Sequence, residues 1–149
     1  MRCAGWGAPR AGRRLPALAP QPDQPTPSVE RLAADRYGTV WVATLNQGLS
    51  RLGPDGQLRR TYRQATGLPT DQFTFLLYDA KQDVLWASTR NAGLLKLRIS
   101  ADSLVLLRQF KYDAHSPNTL IVSYVWPLLQ DRRGTLWIGT LGGGLHRRS

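Results

Sequence analysis

Short runs of apolar residues, separated by polar turn residues, fill the chain from residue 28 onward and predict β-strands. Three of these runs, 29–34, 73–78 and 121–130, each lead into an aspartate: Asp35, Asp79 and Asp131. The run after each aspartate has apolar residues at both odd and even positions. Because successive side chains of a strand point to opposite faces, both faces of this strand must be covered. The pattern therefore predicts β-sheets that pack face to face.

The run after each aspartate repeats the same residues at fixed distances from a tryptophan. Thr follows the tryptophan by three residues, Gly by seven and Leu by eight. The repeated residues are Trp41, Thr44, Gly48 and Leu49, then Trp86, Thr89, Gly93 and Leu94, then Trp137, Thr140, Gly144 and Leu145. The tryptophans are 45 and 51 residues apart, a period typical of stacked repeats. We expect the tryptophans to be core residues and the threonines and glycines to be structural parts of the repeat.

The turn before each tryptophan differs in the second unit. The first and third turns read Asp-x-x-Gly and end at Gly38 and Gly134. In such turns the Asp side chain caps the backbone and Gly adopts a positive φ, so each aspartate is interpreted as a turn cap rather than a catalytic carboxylate. The second turn has one more residue, and Asp83 replaces the glycine. Because Asp tolerates the left-handed region, we expect this turn to form in an altered shape.

The remaining runs complete each unit. A third strand is predicted after each Gly-Leu pair, and a fourth at 58–63 and 104–111, with none encoded in the third unit. The sequence thus predicts an all-β fold: a partial β-propeller of about three four-stranded antiparallel blades, the last one incomplete. The predicted blades span approximately residues 28–64, 72–112 and 120–149. Pro127 must lie on an edge strand or a bulge, because proline cannot donate to a ladder.

Residues 1–27 have a different composition and are predicted to be disordered, since they are rich in Pro and Arg and poor in large apolar residues.

The net charge of +10 comes from basic residues scattered along the repeats, so a solvated basic surface is favoured over nucleic-acid binding. Cys3 is the only cysteine, and the two histidines, His115 and His146, lack the spacing of metal ligands. No cofactor, metal or catalytic residue is therefore predicted. The sequence has neither a clear signal peptide nor an apolar run long enough to span a membrane.

Loops at one rim of the predicted blades offer candidate ligand-binding residues. The hairpins between second and third strands supply Asn46, Gln47, Arg90 and Asn91, and the connections between units supply Asp71, Gln72, Tyr112, His115 and Asn118. Amide, guanidinium and phenol groups suit an oxygen-rich ligand. We select Asn46, Gln47, Arg90, Asn91 and Tyr112 as the candidate site.

The third unit, DRRGTLWIGTLGGGL, resembles the repeat of the two-component regulator propellers, whose pattern is D-x-x-G-x-L-W-I-G-T-x-x-G-G-L. The segments SPNTLIVSYVWPLLQD and TGLPTDQFTFLLYD resemble the connection and first strand of the same family. The resemblance covers about residues 28–149. It implies a non-catalytic sensor module in the extracytoplasmic, periplasmic region of a bacterial signalling protein, with a histidine kinase or diguanylate cyclase as output domain and often a glycan as ligand.

The chain is interpreted as a fragment, or as a chain that assembles with further blades from the same or another chain, because a propeller needs roughly 4–8 blades to close.

Two alternatives to the sensor module stay open. The second hypothesis is a propeller scaffold for protein interactions. The third is an enzyme similar to the streptogramin lyases, whose repeats also contain tryptophan, but the acid–base and metal cluster that such an enzyme needs is not found in the sequence.

Overall fold

A computed structural model describes residues 28–117, 120 and 122–149, which form three antiparallel sheets. The first contains β1 (Val29–Ala34), β2 (Val40–Thr44), β3 (Leu49–Leu52) and β4 (Leu58–Tyr62). The second contains β5 (Phe73–Asp79), β6 (Val84–Thr89), β7 (Leu94–Ile99) and β8 (Leu104–Phe110). The third contains β9 (Val125–Gln130), β10 (Leu136–Thr140) and β11 (Gly144–Arg148). We call them sheets 1, 2 and 3.

Each sheet is a meander in which neighbours in sequence are neighbours in space, and the strands β1, β5 and β9 lie at the inner edges, where the sheets contact one another. The predicted all-β partial propeller is confirmed, with four strands in sheets 1 and 2 and three in sheet 3. The boundaries of the blades remain a prediction. Residues 1–27 lie outside the described residues.

Two details differ from the sequence prediction. A short 3-10 helix, Gln64–Thr66, follows β4, where no helix was expected. In the third unit the first strand begins at Val125, well inside the predicted run 121–130. The backbone just before it makes other contacts: Ser123 O accepts Gly93 N at 2.9 Å, and Tyr124 O accepts Leu141 N at 2.9 Å. These bonds tie the segment to two hairpins instead of a strand partner.

The tryptophans lie between successive sheets. Trp41 packs in the cluster between sheets 1 and 2 and is 0% exposed, whereas Trp86 packs between sheets 2 and 3 and is 3% exposed. An aromatic residue of the fourth strand contacts each ring, Tyr62 at a centroid distance of 5.9 Å from Trp41 and Phe110 at 6.1 Å from Trp86. Trp137 is only half-buried, because its face of sheet 3 has neither a following sheet nor a fourth strand among the described residues.

The repeated leucine shows the same gradient. Leu49 and Leu94 are 0% exposed, but Leu145 is 68% exposed. Leu129, which pairs with Trp137 across the sheet, is also exposed. The outer face of sheet 3 therefore presents apolar side chains that the corresponding faces of sheets 1 and 2 bury.

Pro127 lies in β9, which is an edge strand of sheet 3, as the sequence predicted. The pairing of β9 with β10 is irregular between Ile138 and Thr140. At this point a Cβ on Gly139 would lie 2.6 Å from Pro127 Cγ, so the absence of a side chain lets the ring sit against the neighbouring strand. In the third unit the residue two positions after the tryptophan, Gly139, must therefore be small because the Pro127 ring packs against it.

The repeated glycines are required for two separable reasons. Gly48, Gly93 and Gly144 have φ between 77° and 82°, which L side chains adopt only under strain. A Cβ on Gly48 would lie 2.2 Å from Tyr62 O, and one on Gly93 would lie 2.0 Å from Phe110 O. In the described part of the chain nothing lies within 4 Å of a Cβ on Gly144, and no fourth strand from that part runs alongside.

We predict that Gly93→Ala destabilises the chain more than Gly144→Ala does. Both variants incur the backbone strain of positive φ, about 1–2 kcal/mol. Only Gly93→Ala also forces β8 away from the hairpin, so its total loss is expected to exceed about 3 kcal/mol. Urea unfolding of the two variants measures the difference, and equal losses would contradict the role assigned to the fourth strand.

Candidate functional site

The antiparallel topology gives the stack of sheets two ends. The β1–β2, β3–β4, β5–β6, β7–β8 and β9–β10 turns lie at one, which we call the turn end. The β2–β3, β6–β7 and β10–β11 hairpins lie at the other with the segments that join one sheet to the next, and we call this the connection end. All the residues selected from the sequence as a candidate site belong to the connection end.

At the connection end the repeated threonine closes each hairpin. Thr44 Oγ1 donates to Gly48 O at 2.8 Å, Thr89 Oγ1 to Gly93 O at 2.6 Å, and Thr140 Oγ1 to Gly144 O at 2.8 Å. The same hydroxyl accepts a backbone N–H of the hairpin, from Gln47 in sheet 1 and from Ala92 in sheet 2. The hairpins are therefore held in fixed shape, and their exposed residues stand on a rigid base.

At the turn end the aspartates cap the turns as predicted and also bind the tryptophans. Asp35 Oδ1 accepts Tyr37 N at 2.9 Å and Thr39 N at 3.1 Å, while its Oδ2 accepts Trp41 Nε1 at 2.8 Å. Asp131 Oδ2 likewise accepts Trp137 Nε1 at 3.0 Å, and this bond lowers the pKa of Asp131. The sequence carries a signal for this contact, since the tryptophan is the sixth residue after the aspartate in both units.

In the second unit the tryptophan is the seventh residue after the aspartate, Trp86 after Asp79, and the contact is different there. Asp79 caps the turn through Lys81 N and Gln82 N, but its Oδ2 accepts Gln130 Nε2 from sheet 3 at 2.8 Å. Asp83 has φ 54°, which confirms the expected left-handed residue.

Asp83 also joins sheet 2 to sheet 1. Its carboxylate accepts Tyr37 OH at 2.5 Å and Tyr78 OH at 2.7 Å, and it pairs with Arg36 at 3.5 Å. The two tyrosine hydrogen bonds lower the pKa of Asp83. The replacement of glycine by aspartate thus adds an inter-sheet contact.

Arg90 and Asn91 lie exposed in the β6–β7 hairpin, next to the segment that enters sheet 3. The Arg90 guanidinium lies 5.8 Å from the centre of the Tyr124 ring, and its backbone N donates to Gln72 O at 3.0 Å. Asn91 Oδ1 accepts Thr70 Oγ1 at 2.7 Å.

The other selected residues flank this group. Tyr112 follows β8 and is half-exposed, and its backbone N donates to Ser123 Oγ at 3.2 Å. Asn46 and Gln47 belong to the β2–β3 hairpin of sheet 1, which reaches the next connection through Gly48 N and Asp71 O at 2.9 Å. No contact between these two residues and Arg90 is seen among the described residues. Asn118 lies outside them.

Two aromatic residues that the sequence did not single out complete the group. Tyr124 and Trp126 contact each other with ring centroids 5.8 Å apart, and Trp126 remains exposed although it lies in β9. Both were hidden inside the predicted strand run, where aromatic residues are read as core. We define Arg90, Asn91, Tyr112, Tyr124 and Trp126 as the rim cluster. It combines aromatic faces, one cation and one amide, which suits a polar ligand with an apolar face.

No group of three metal-ligating side chains is present in the described part of the chain. His115 lies in an exposed loop and His146 in β11, as the sequence indicated. Within the same described ranges no helix is long and apolar enough to cross a membrane.

Residues 119–142 match the family described as "Two component regulator propeller", so the third unit is similar to a repeat of this class of propeller. The resemblance found in the sequence is thereby confirmed. The matched segment contains Tyr124 and Trp126 of the rim cluster. No curated protein matches the chain.

Solved structures show the same fold. One is described as the extracellular domain of a hybrid two component system, BT3049 of B. thetaiotaomicron, with a TM-score of 0.67, 23% identity and 80% of this chain covered. A second, BT4673 of the same organism, is described in the same way and has a TM-score of 0.66, 22% identity and 87% coverage. The chain spans only 17% of the length of each of these domains.

A catalytically inactive virginiamycin B lyase from Staphylococcus aureus, solved with quinupristin, is also similar, with a TM-score of 0.54. It is 17% identical, and the match covers 87% of this chain and 43% of the lyase. At this identity the likeness shows a common propeller fold alone.

We predict that protonation of Asp35 weakens the fold. Burial raises the pKa of Asp35, but hydrogen bonds from Thr39, Trp41 and Tyr37 outweigh burial and leave the pKa below its ordinary value of 3.8. A carboxylate with a lowered pKa stabilises the fold above its unfolded-state pKa, and this contribution is lost as the pH falls through the folded-state pKa. The free energy of unfolding should therefore drop below about pH 4.

Asp35→Asn should lose on the order of 1–3 kcal/mol at pH 7, because buried donors lose a charged acceptor, and its unfolding free energy should fall less steeply with acid. Urea unfolding at pH 7 and pH 3 measures both effects. Asp113→Asn, in the exposed loop after β8, is the control. Identical acid dependence in Asp35→Asn and the unmodified chain would refute the role of this carboxylate.

Proposed function

We propose that the chain is a non-catalytic, ligand-receiving segment of the sensor propeller of a bacterial two-component signalling protein. The observation that carries the proposal is that the segment matching the regulator propeller family supplies two members of an exposed rim cluster. The likeness to extracellular domains of hybrid two component systems supports an extracytoplasmic, periplasmic position. The output domain would be a histidine kinase or a diguanylate cyclase elsewhere in the full protein.

The rim cluster is proposed to bind an oxygen-rich ligand such as a glycan. The ring of Trp126 offers an apolar face for the C–H groups of a sugar, and Arg90 and Asn91 offer donors for its oxygens. The cluster joins sheet 2 to sheet 3, since Arg90 of the β6–β7 hairpin faces Tyr124 at the entry to β9. A ligand bound there contacts both sheets.

The mechanism we propose is a shift of population. A ligand that contacts two neighbouring sheets favours the receptor arrangement in which their spacing matches the ligand. Its effect on the output is limited by its difference in affinity for the two arrangements. Further propeller blades, from the same or another chain, would transmit this spacing around the ring.

Titration of the 149-residue chain with a panel of neutral and uronate-containing oligosaccharides tests the site. Trp126 is exposed, so its fluorescence should change on binding. Arg90→Ala is expected to weaken binding about tenfold, since a hydrogen bond from a charged donor contributes roughly 1.5–3 kcal/mol. Asn91→Ala and Tyr112→Ala should weaken it less.

Arg98→Ala is the matched control, because Arg98 lies exposed in β7 away from the connection end. Equal loss of binding in Arg90→Ala and Arg98→Ala would indicate attraction by overall charge instead of a site. Capture of a defined protein, with no binding of any oligosaccharide, would favour the interaction scaffold.

A further inference from the structure

A cavity of about 440 Å³ opens at the turn end, opposite the rim cluster. It lies between β3 and β4 of sheet 1 and the β7–β8 turn of sheet 2. Arginine and tyrosine side chains dominate its walls: Arg51, Arg59, Arg60, Tyr37 and Tyr62, with Asp102 as the one acidic residue among the described residues that line it.

Arg51 is the most unusual of these residues, because it is charged and only 3% exposed. Its Nη2 donates to Ser100 O at 2.7 Å and to Ala101 O at 2.5 Å, and the guanidinium lies 5.1 Å from the centre of the Trp41 ring. No carboxylate forms an ion pair with it among the described residues. A buried charge is costly without a counter-charge, so carbonyl oxygens and a ring face leave this cation incompletely compensated.

Arg59 and Arg60 add two more cations at the mouth. Gly53 has no side chain that would block Arg59: a Cβ there would lie 2.4 Å from Arg59 Nε. Arg59 pairs with Asp55 at 2.8 Å, which leaves part of its planar donor set unused. The Arg60 guanidinium stacks 5.0 Å from the centre of the Tyr62 ring.

Tyr62 forms part of the cavity wall. The residue is 5% exposed, and its hydroxyl is buried without a hydrogen-bond partner among the described residues. Because the hydroxyl has almost no accessible surface, Tyr62 lines the cavity with its ring and not with its hydroxyl. The donors available to an oxygen in the cavity are therefore those of the three arginines.

We propose that this cavity is a binding site for an oxyanion, phosphate or sulfate, free or carried by a small molecule. Three arginines face the cavity against Asp102 within it and Asp55 on Arg59, so one positive charge is in excess. The anion would accept from the guanidinium groups of Arg51, Arg59 and Arg60 that line the cavity. Guanidinium groups match the oxygens of such anions in pairs, which favours them over chloride. This site is independent of the ligand proposed for the rim cluster.

Calorimetric titration of the 149-residue chain with sodium sulfate and with sodium phosphate, at ionic strength held constant with sodium chloride, tests the proposal. We expect saturable binding of one or both anions, and the stronger of the two identifies the chemistry. Arg60→Gln should weaken binding about tenfold, since it removes a charge-assisted donor. Arg51→Lys should also weaken it, because lysine cannot present the planar donor pair.

Arg98→Gln removes an exposed charge outside the cavity and should leave the affinity unchanged. Thermal unfolding gives a second measurement, because sulfate stabilises proteins generally, and only a specific site makes the rise in midpoint smaller in Arg60→Gln than in Arg98→Gln. No saturable heat with either anion, or equal affinities for Arg60→Gln and Arg98→Gln, would overturn the site. Failure of the chain to bind any oligosaccharide would count against the rim cluster but not against the proposed anion site.

Discussion

The indole of Trp41 has two requirements that the surrounding structure meets. Its ring needs apolar cover on both sides, and its N–H needs an acceptor because it lies away from water. The next sheet and an aromatic residue of the fourth strand cover Trp41, and Asp35 accepts its N–H. The turn, the strand and the neighbouring sheet are therefore fixed by one side chain, and the stack of sheets follows from its repetition.

Local contacts were readable from the sequence, whereas contacts between sheets were not. Thr44 and Gly48 act within one hairpin, and Asp35 acts within one turn, so their fixed spacing along the chain predicted their roles. The burial of Arg51 depends on how closely the β7–β8 turn approaches, which no spacing encodes.

The residues of the rim cluster also divide into some that the sequence predicted and some that it missed. The sequence placed Arg90, Asn91 and Tyr112 at one rim, because hairpin and connection positions follow from the order of strands. It missed Tyr124 and Trp126, since aromatic residues in an apolar run are normally core. The backbone bonds of Ser123 and Tyr124 to two hairpins hold Tyr124 outside β9, at the connection end, and Trp126 lies against its ring.

The two ends of the stack differ in what they offer a ligand. The connection end presents exposed aromatic and amide groups on rigid hairpins, whereas the turn end has a cationic cavity whose central guanidinium is buried. A neutral polar molecule and a small anion could therefore occupy the same chain at the same time.

The extra residue in the second turn has a wider consequence. It moves Asp79 out of reach of Trp86, and the carboxylate binds Gln130 of sheet 3 instead, while Asp83 binds Tyr37 of sheet 1. Sheet 2, which departs most from the repeat, thereby forms side-chain hydrogen bonds with both sheet 1 and sheet 3. The hydrogen bonds made where the repeat departs from its pattern therefore add polar links between adjacent sheets to the apolar packing that the repeat itself supplies.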